Sequence, residues 1–423
     1  MSSLRRDWNW IFETVPGRTN IALALAVFVV LTVVAIPAAQ SQTYVSLYSF
    51  NGQNGGKLPY AGVTIGPGGV LYGAASEGGH SDYGVVYRLA HRGSGWILST
   101  LYEFKGGSDG AFSYSGITFG PGGYMYGTTY SGGDGNYGTV FRMSAPPGPC
   151  LTASCPWPET VIYRFKGGSD GAYPIYSDVV FDQAGNLYGT TTGDTNGNAG
   201  TVFKLTPTGG GGEWTETILY SFTHGESPYA GVTFDKAGNL YGTTANGGYM
   251  GSGCPGGCGM VYELTAAGSG WNEQTLYEFQ GGADGAYPFG GVSFDPSGNL
   301  YGVTSFDGAI STVWELQRSG SGWTFSTLYT FDVYGGPQGK PTLDAAGNVY
   351  GSVFDEDQQD SGLVYKLTPS GGGWTETNLV VFGQGNNGRF PYGSVVLDAS
   401  GNIYGTTLEG GSQGNGNVWE ITP

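Results

Sequence analysis

Chemistry at neutral pH needs a nucleophile with its base, a proton carrier or a set of metal ligands, and this chain offers few of each. Its three histidines, His80, His91 and His224, read as parts of Gly-rich or polar connections. None stands in a pattern that marks a hydrolytic triad, so each reads as a solvated loop residue. The glycines Gly209 to Gly212 are followed by neither Lys-Ser nor a helix start, which makes them a hairpin turn and not a phosphate cradle. The acidic run Asp355, Glu356, Asp357 and Asp360 is the densest candidate for calcium. It lacks the ligand spacing of an EF-hand loop and reads as a solvated loop. No metal site, cofactor or catalytic residue is assigned.

Two other kinds of position are more informative. Tyr60, Tyr114, Tyr176, Tyr229, Phe289 and Tyr392 each stand three residues before an apolar Val or Ile in a recurring unit, where the sixth copy has Gln338. Aromatic rings gathered around an opening bind sugar faces or apolar side chains. The alternative is that each ring packs beneath the following unit. Two residues further on, the copies read Gly62, Gly116, Asp178, Gly231, Gly291, Lys340 and Ser394. Asp178 and Lys340 depart from what the other copies use, so the scaffold does not demand them; they are candidates to flank a ligand, against a reading as harmless drift.

The unit that carries these positions occurs seven times. Its signature is Leu71-Tyr72-Gly73, Met125-Tyr126-Gly127, Leu187-Tyr188-Gly189, Leu240-Tyr241-Gly242, Leu300-Tyr301-Gly302, Val349-Tyr350-Gly351 and Ile403-Tyr404-Gly405. Each copy holds four short alternating or β-branched segments divided by Gly-rich breaks, the patterning of strands and hairpins. In the fourth copy they are GVTFD ending at Asp235, NLYGTT over 239–244, GMVYEL over 259–264 and WNEQTLYEF over 271–279. Asp182, Asp235, Asp295, Asp344 and Asp398 each precede a Gly and an Asn in the first turn, where a carboxylate caps backbone N–H groups. The first two copies use Gly66-Pro67-Gly68-Gly69 and Gly120-Pro121-Gly122-Gly123 instead. Asp109, Asp170 and Asp284, each followed by Gly, also read as turn residues.

The last copy reaches only its third segment by Pro423, and Thr43 to Phe50, TYVSLYSF, supplies the matching fourth. A strand exchanged between the two ends closes a ring and removes the open edge. The expected fold is therefore all-β: a seven-bladed β-propeller of four-stranded antiparallel blades over residues 43–423, closed by its N-terminal strand. The 30 Tyr, 21 Phe and 10 Trp supply a core that a disordered chain with 81 Gly would lack.

Residues 1–42 read as a signal peptide or membrane anchor, with Arg5, Arg6 and Arg18 before an apolar stretch over 21–36 and small residues Ala38, Ala39 and Ser41 after it. Contact with a membrane is expected only through residues 21–36, if they remain attached. Export favours two local disulfides, Cys150 with Cys155 and Cys254 with Cys258. A net charge of −17 repels nucleic-acid phosphates, so nucleic acid is not an expected partner.

The segments AGNLYGTT from Ala184, GTVFKLTP from Gly200 and LYEFQGGADGAYP from Leu276 resemble the bacterial GloVer tandem-repeat proteins, over Thr43 to Pro423. The resemblance implies export and display; it carries no activity to any residue. Family members often end in a sorting or anchoring segment, and none is read before Pro423. The expected function is an exported, non-catalytic propeller binding carbohydrate or protein at its channel mouth, in the extracellular space, periplasm or cell envelope. The alternatives are a propeller hydrolase or lyase acting on polysaccharide, and a purely structural repeat protein.

Overall fold

The computed structural model describes residues 42–423 except 94, 147–156, 194–198, 210–212, 252, 306–309, 321, 334 and 357–360. The N-terminal segment, the Cys150–Cys155 pair and Asp357 and Asp360 of the acidic run lie outside the described residues. Seven antiparallel sheets follow one another along the chain, and the first strand of each faces a common channel. In the fourth blade the strands are Thr233–Phe234, Leu240–Thr244, Met260–Ala267 and Gly270–Glu278, in order from channel to rim. The sixth blade has one addition, a short strand Gly335–Gly336 paired with the far end of Val349–Asp355.

Each letter of the repeated Leu-Tyr-Gly-Thr-Thr strand has a physical task. Its five residues are buried in every blade, so both faces of the strand carry packing. In the third and sixth blades its tyrosine hydroxyl donates to the turn carboxylate, Tyr188 to Asp182 at 2.9 Å and Tyr350 to Asp344 at 3.0 Å. Its glycine makes room for a large ring on the third strand. A Cβ on Gly73 would lie 2.4 Å from the Tyr87 hydroxyl, and one on Gly302 would lie 2.1 Å from the Trp314 ring. The first Thr reaches across to the next blade, Thr190 to the Ala230 carbonyl and Thr243 to the Gly290 carbonyl, both at 2.9 Å. The second pairs inside its own blade, as Thr191 does with Thr201 at 2.9 Å.

The turn aspartates do what their spacing predicts. Asp182 accepts from the Ala184 and Asn186 backbone N–H groups and from the Asn186 amide and Tyr188 hydroxyl. Burial alone would raise this carboxyl; those donors outweigh it and hold it below the ordinary range. Asp109, Asp170 and Asp284 are likewise committed to turns, accepting from the backbone N–H groups of Lys105, Lys166 and Gln280. One reading needs correction: His91 lies in the strand Val85–Arg92, against the Trp96 ring, and not in a connection. It shares the face of Tyr87 and Leu89 but lies beyond the buried part of the strand and is exposed.

Seven core clusters occupy the seven seams between blades. One joins Leu47, Phe50, Val63, Leu71, Tyr87, Tyr404 and Val418, residues of the first blade, the last blade and the N-terminal strand. Thr43–Ser49 pairs antiparallel with Asn417–Thr422, from Thr43 opposite Thr422 to Ser49 opposite Asn417. The ring is closed as the sequence predicts. Cys254 and Cys258 form a disulfide in a loop of the fourth blade.

Candidate functional site

Each blade sends the segment leading into its first strand toward the axis, and the lining lies at up to three successive levels. At the mouth lie Tyr60, Tyr114, Tyr176, Phe289, Gln338 and Tyr392; below them come Gly62, Gly116, Asp178, Gly231, Gly291, Lys340 and Ser394; lowest are Thr64, Val180, Thr233 and Val396. Together they enclose a cavity of about 160 Å³. Tyr229 stands beside this lining, its ring edge-on to Phe289 with centroids 5.2 Å apart.

The tyrosines contact one another across the mouth. The Tyr60 ring meets Tyr114 at 5.0 Å and Tyr392 at 5.4 Å, both edge to face, and Tyr176 meets Tyr392 at 5.3 Å and Tyr60 at 6.1 Å. Four rings from the seventh, first, second and third blades thus form one cluster on one side, with Tyr229 and Phe289 forming a separate pair. Tyr176 holds a left-handed backbone with φ of 49°, a conformation costing on the order of 1–3 kcal/mol. Burial, reinforced by Tyr392, raises its phenol. Burial also pushes the Tyr114 phenol up to about 12.

Below the rings the wall is nearly bare backbone. A Cβ on Gly62 would lie 2.0 Å from the Ser394 carbonyl oxygen and one on Gly231 would lie 2.1 Å from that of Asp178. Neighbouring blades approach so closely here that glycine is required. Two long side chains project into the space left by these small residues. Asp178 accepts from the Gly116 N–H through Oδ1 at 2.6 Å, and Lys340 donates from Nζ to the Thr233 hydroxyl at 3.2 Å. That hydroxyl in turn donates to the Val292 carbonyl at 2.8 Å.

Asp178 is exposed to the lumen, but the lumen is walled by the other blades. Loss of hydration therefore raises its carboxyl, opposed by the Gly116 N–H and then by the Lys340 charge. The same loss lowers the Lys340 ammonium, opposed by Asp178. The two feel each other through the cavity without forming an ion pair, and the only ion pairs among the described residues lie elsewhere. Gln338 also lines the space, and its side-chain oxygen is buried without a partner among the described residues.

Asp178, Lys340 and five of the six aromatics named from the sequence thus share one cavity. Sequence reasoning missed Gln338 as a polar contributor, having treated it as an interruption of the aromatic series, and missed the lowest level altogether. Counting two more residues along each inner strand, from Gly62 to Thr64 and from Gly231 to Thr233, was the signal for it. Among the described residues no three His, Cys, Asp or Glu side chains gather as a metal-holding group.

The fold and this lining define a closed seven-bladed propeller with a small, charged, aromatic-capped channel. The chain belongs to the Gloeobacter/Verrucomicrobia repeat family, which it matches over residues 32–253 and 152–310. It is similar in fold to the polysaccharide lyase Uly1, with 12% identity, a TM-score of 0.53, and coverage of 92% of this chain and 94% of that one. A gluconolactonase from Xanthomonas campestris is also similar, with 12% identity and a TM-score of 0.43 over 90% of each chain. No curated protein matches the sequence.

Proposed function

We propose that this is an exported, non-catalytic binding propeller that takes one small polar unit of a carbohydrate or protein ligand at the channel mouth. The observation that carries this reading is the convergence of Asp178 and Lys340, each with unused hydrogen-bonding capacity, beneath Tyr60, Tyr114, Tyr176 and Tyr392 in one cavity. A few placed polar groups inside an apolar, aromatic wall are the usual make-up of a ligand pocket. The Cys254–Cys258 disulfide supports export, because such bonds persist in oxidising compartments. Glycan-array and pull-down binding test the reading: Tyr60→Ala with Tyr229→Ala is expected to abolish capture by the folded protein. Undiminished capture by that variant counts against the channel mouth.

A second reading, a hydrolase or lyase acting on polysaccharide, draws on the opposite displacements of Asp178 and Lys340. A carboxyl kept nearer protonation and an ammonium kept nearer neutrality are an acid and a base brought toward the working range. The likeness to a polysaccharide lyase concerns the scaffold alone. Polysaccharide turnover that Asp178→Asn leaves intact removes that assignment.

A further inference from the structure

We infer that the channel cavity is built for a ligand carrying an ammonium and a carboxylate together, a free α-amino acid or a close analogue. The inference rests on the channel being a binding site and names the chemistry it selects. Two opposite charges enter the cavity at the level where four of the other five blades have glycine and the fifth has serine, so they are additions to the scaffold. Each is tethered by one neutral partner, Asp178 by the Gly116 N–H and Lys340 by the Thr233 hydroxyl. Those tethers orient the heads and leave both charges without a counter-ion.

Charges confined this way are costly until they are paired and hydrogen-bonded. A neutral sugar hydroxyl satisfies hydrogen bonds but neutralises neither charge. A simple anion answers Lys340 and is repelled by Asp178; a simple cation meets the converse. A zwitterion answers both, its ammonium donating to Asp178 and its carboxylate accepting from Lys340.

Size and field point the same way. A cavity of about 160 Å³ leaves room for a compact amino acid. A protein of net charge −17 repels anionic ligands over distance, whereas a zwitterion approaches without net repulsion. The tyrosine cluster at the mouth, with Phe289 opposite, supplies apolar and ring-edge contacts for the side chain.

The experiment is calorimetric titration of the purified protein with the common L-α-amino acids singly, their N-acetyl and carboxamide derivatives, and neutral monosaccharides. Saturable binding of at least one free amino acid is expected, weakened roughly tenfold or more by blocking either end, as for one lost charge-assisted hydrogen bond. Asp178→Asn, which keeps an oxygen for the Gly116 N–H, is expected to bind the amino acid as weakly as wild type binds the N-acetyl derivative. In that variant N-acetylation should cost little more. Equal binding of free and blocked forms overturns the inference, as does binding of monosaccharides alone, which leaves the binding reading standing. Glycan or protein capture without amino-acid binding has that same consequence, whereas failure of every probe and of capture removes both.

Discussion

At the scale of single residues, the channel wall separates two kinds of glycine that look identical in the repeat. A Cβ at position 62 or 231 would run into a carbonyl oxygen of the neighbouring blade, whereas one at position 291 meets nothing nearer than 3.5 Å. Gly62→Ala and Gly231→Ala are therefore expected to lose about 1–3 kcal/mol, the usual cost of overpacking. Gly291→Ala should be neutral or gain about 0.4–1 kcal/mol by restricting the unfolded chain. Urea unfolding midpoints check this, and equal losses at all three positions would refute the close-approach explanation. This distinction was not legible in the sequence, because it depends on how near one backbone comes to another. The turn aspartates were legible because Asp182 and Asn186 interact within five residues. Local chemistry is written in local spacing; the mutual packing of Tyr60, Tyr176 and Tyr392 depends on the channel's radius, which no single repeat encodes.

At the scale of elements, the seams between outermost strands hold a proton that the repeat pattern does not announce. The Tyr163 hydroxyl stands 2.6 Å from Asp170 Oδ1 and 2.7 Å from Glu216 Oε2, and it has one hydrogen to give. The second contact needs a protonated carboxyl. Burial, aided by the charge of Asp170 though opposed by the Tyr163 hydroxyl and Lys166, pushes Glu216 up to about 8. One seam earlier, burial and Asp109 push Glu159 up to about 7, against Tyr102, Arg164 and Lys105. An unfolded glutamate titrates near about 4.3. The folded chain therefore holds protons that the unfolded chain has released between about 4.3 and 8, and stability falls as pH rises through that window. Glu216→Gln is expected to flatten the fall, measured as the difference between urea midpoints at about pH 5 and pH 9. An identical pH slope in the variant would assign the proton elsewhere. From sequence, Glu216 is one more polar residue on an alternating strand; only the neighbouring blade supplies the tyrosine and the second carboxyl.

At the scale of the whole molecule, the ring depends on a strand contributed from the opposite end of the chain. Every outermost strand carries a bulge where its register shifts past a large residue of the third strand, as at Val86/Tyr87 and Val202/Phe203. The extra residue is Leu101 in the first blade and Leu219 in the third, each turned into a seam core. The N-terminal strand shifts between Ser46 and Tyr48, which makes Leu47 its bulged residue, buried like Leu219 in its own seam cluster. The equivalence was legible as a match between TYVSLYSF and later segments; the bulge shows that it extends to backbone geometry. Phe50 extends the closure, with its N–H donating to the Gly416 carbonyl at 2.9 Å and its ring edge-on to Tyr87. If the ring is one cooperative unit, Leu47→Ala and Leu219→Ala should both cost about 2–5 kcal/mol, as leucine truncations in packed cores do. Deleting Thr43–Phe50 should do far more, exposing the edge of Asn417–Thr422 and abolishing the cooperative transition. Calorimetry of the three variants decides it. A loss at Leu219 with none at Leu47, and an intact transition after the deletion, would mean that the seven blades hold together without their closing strand.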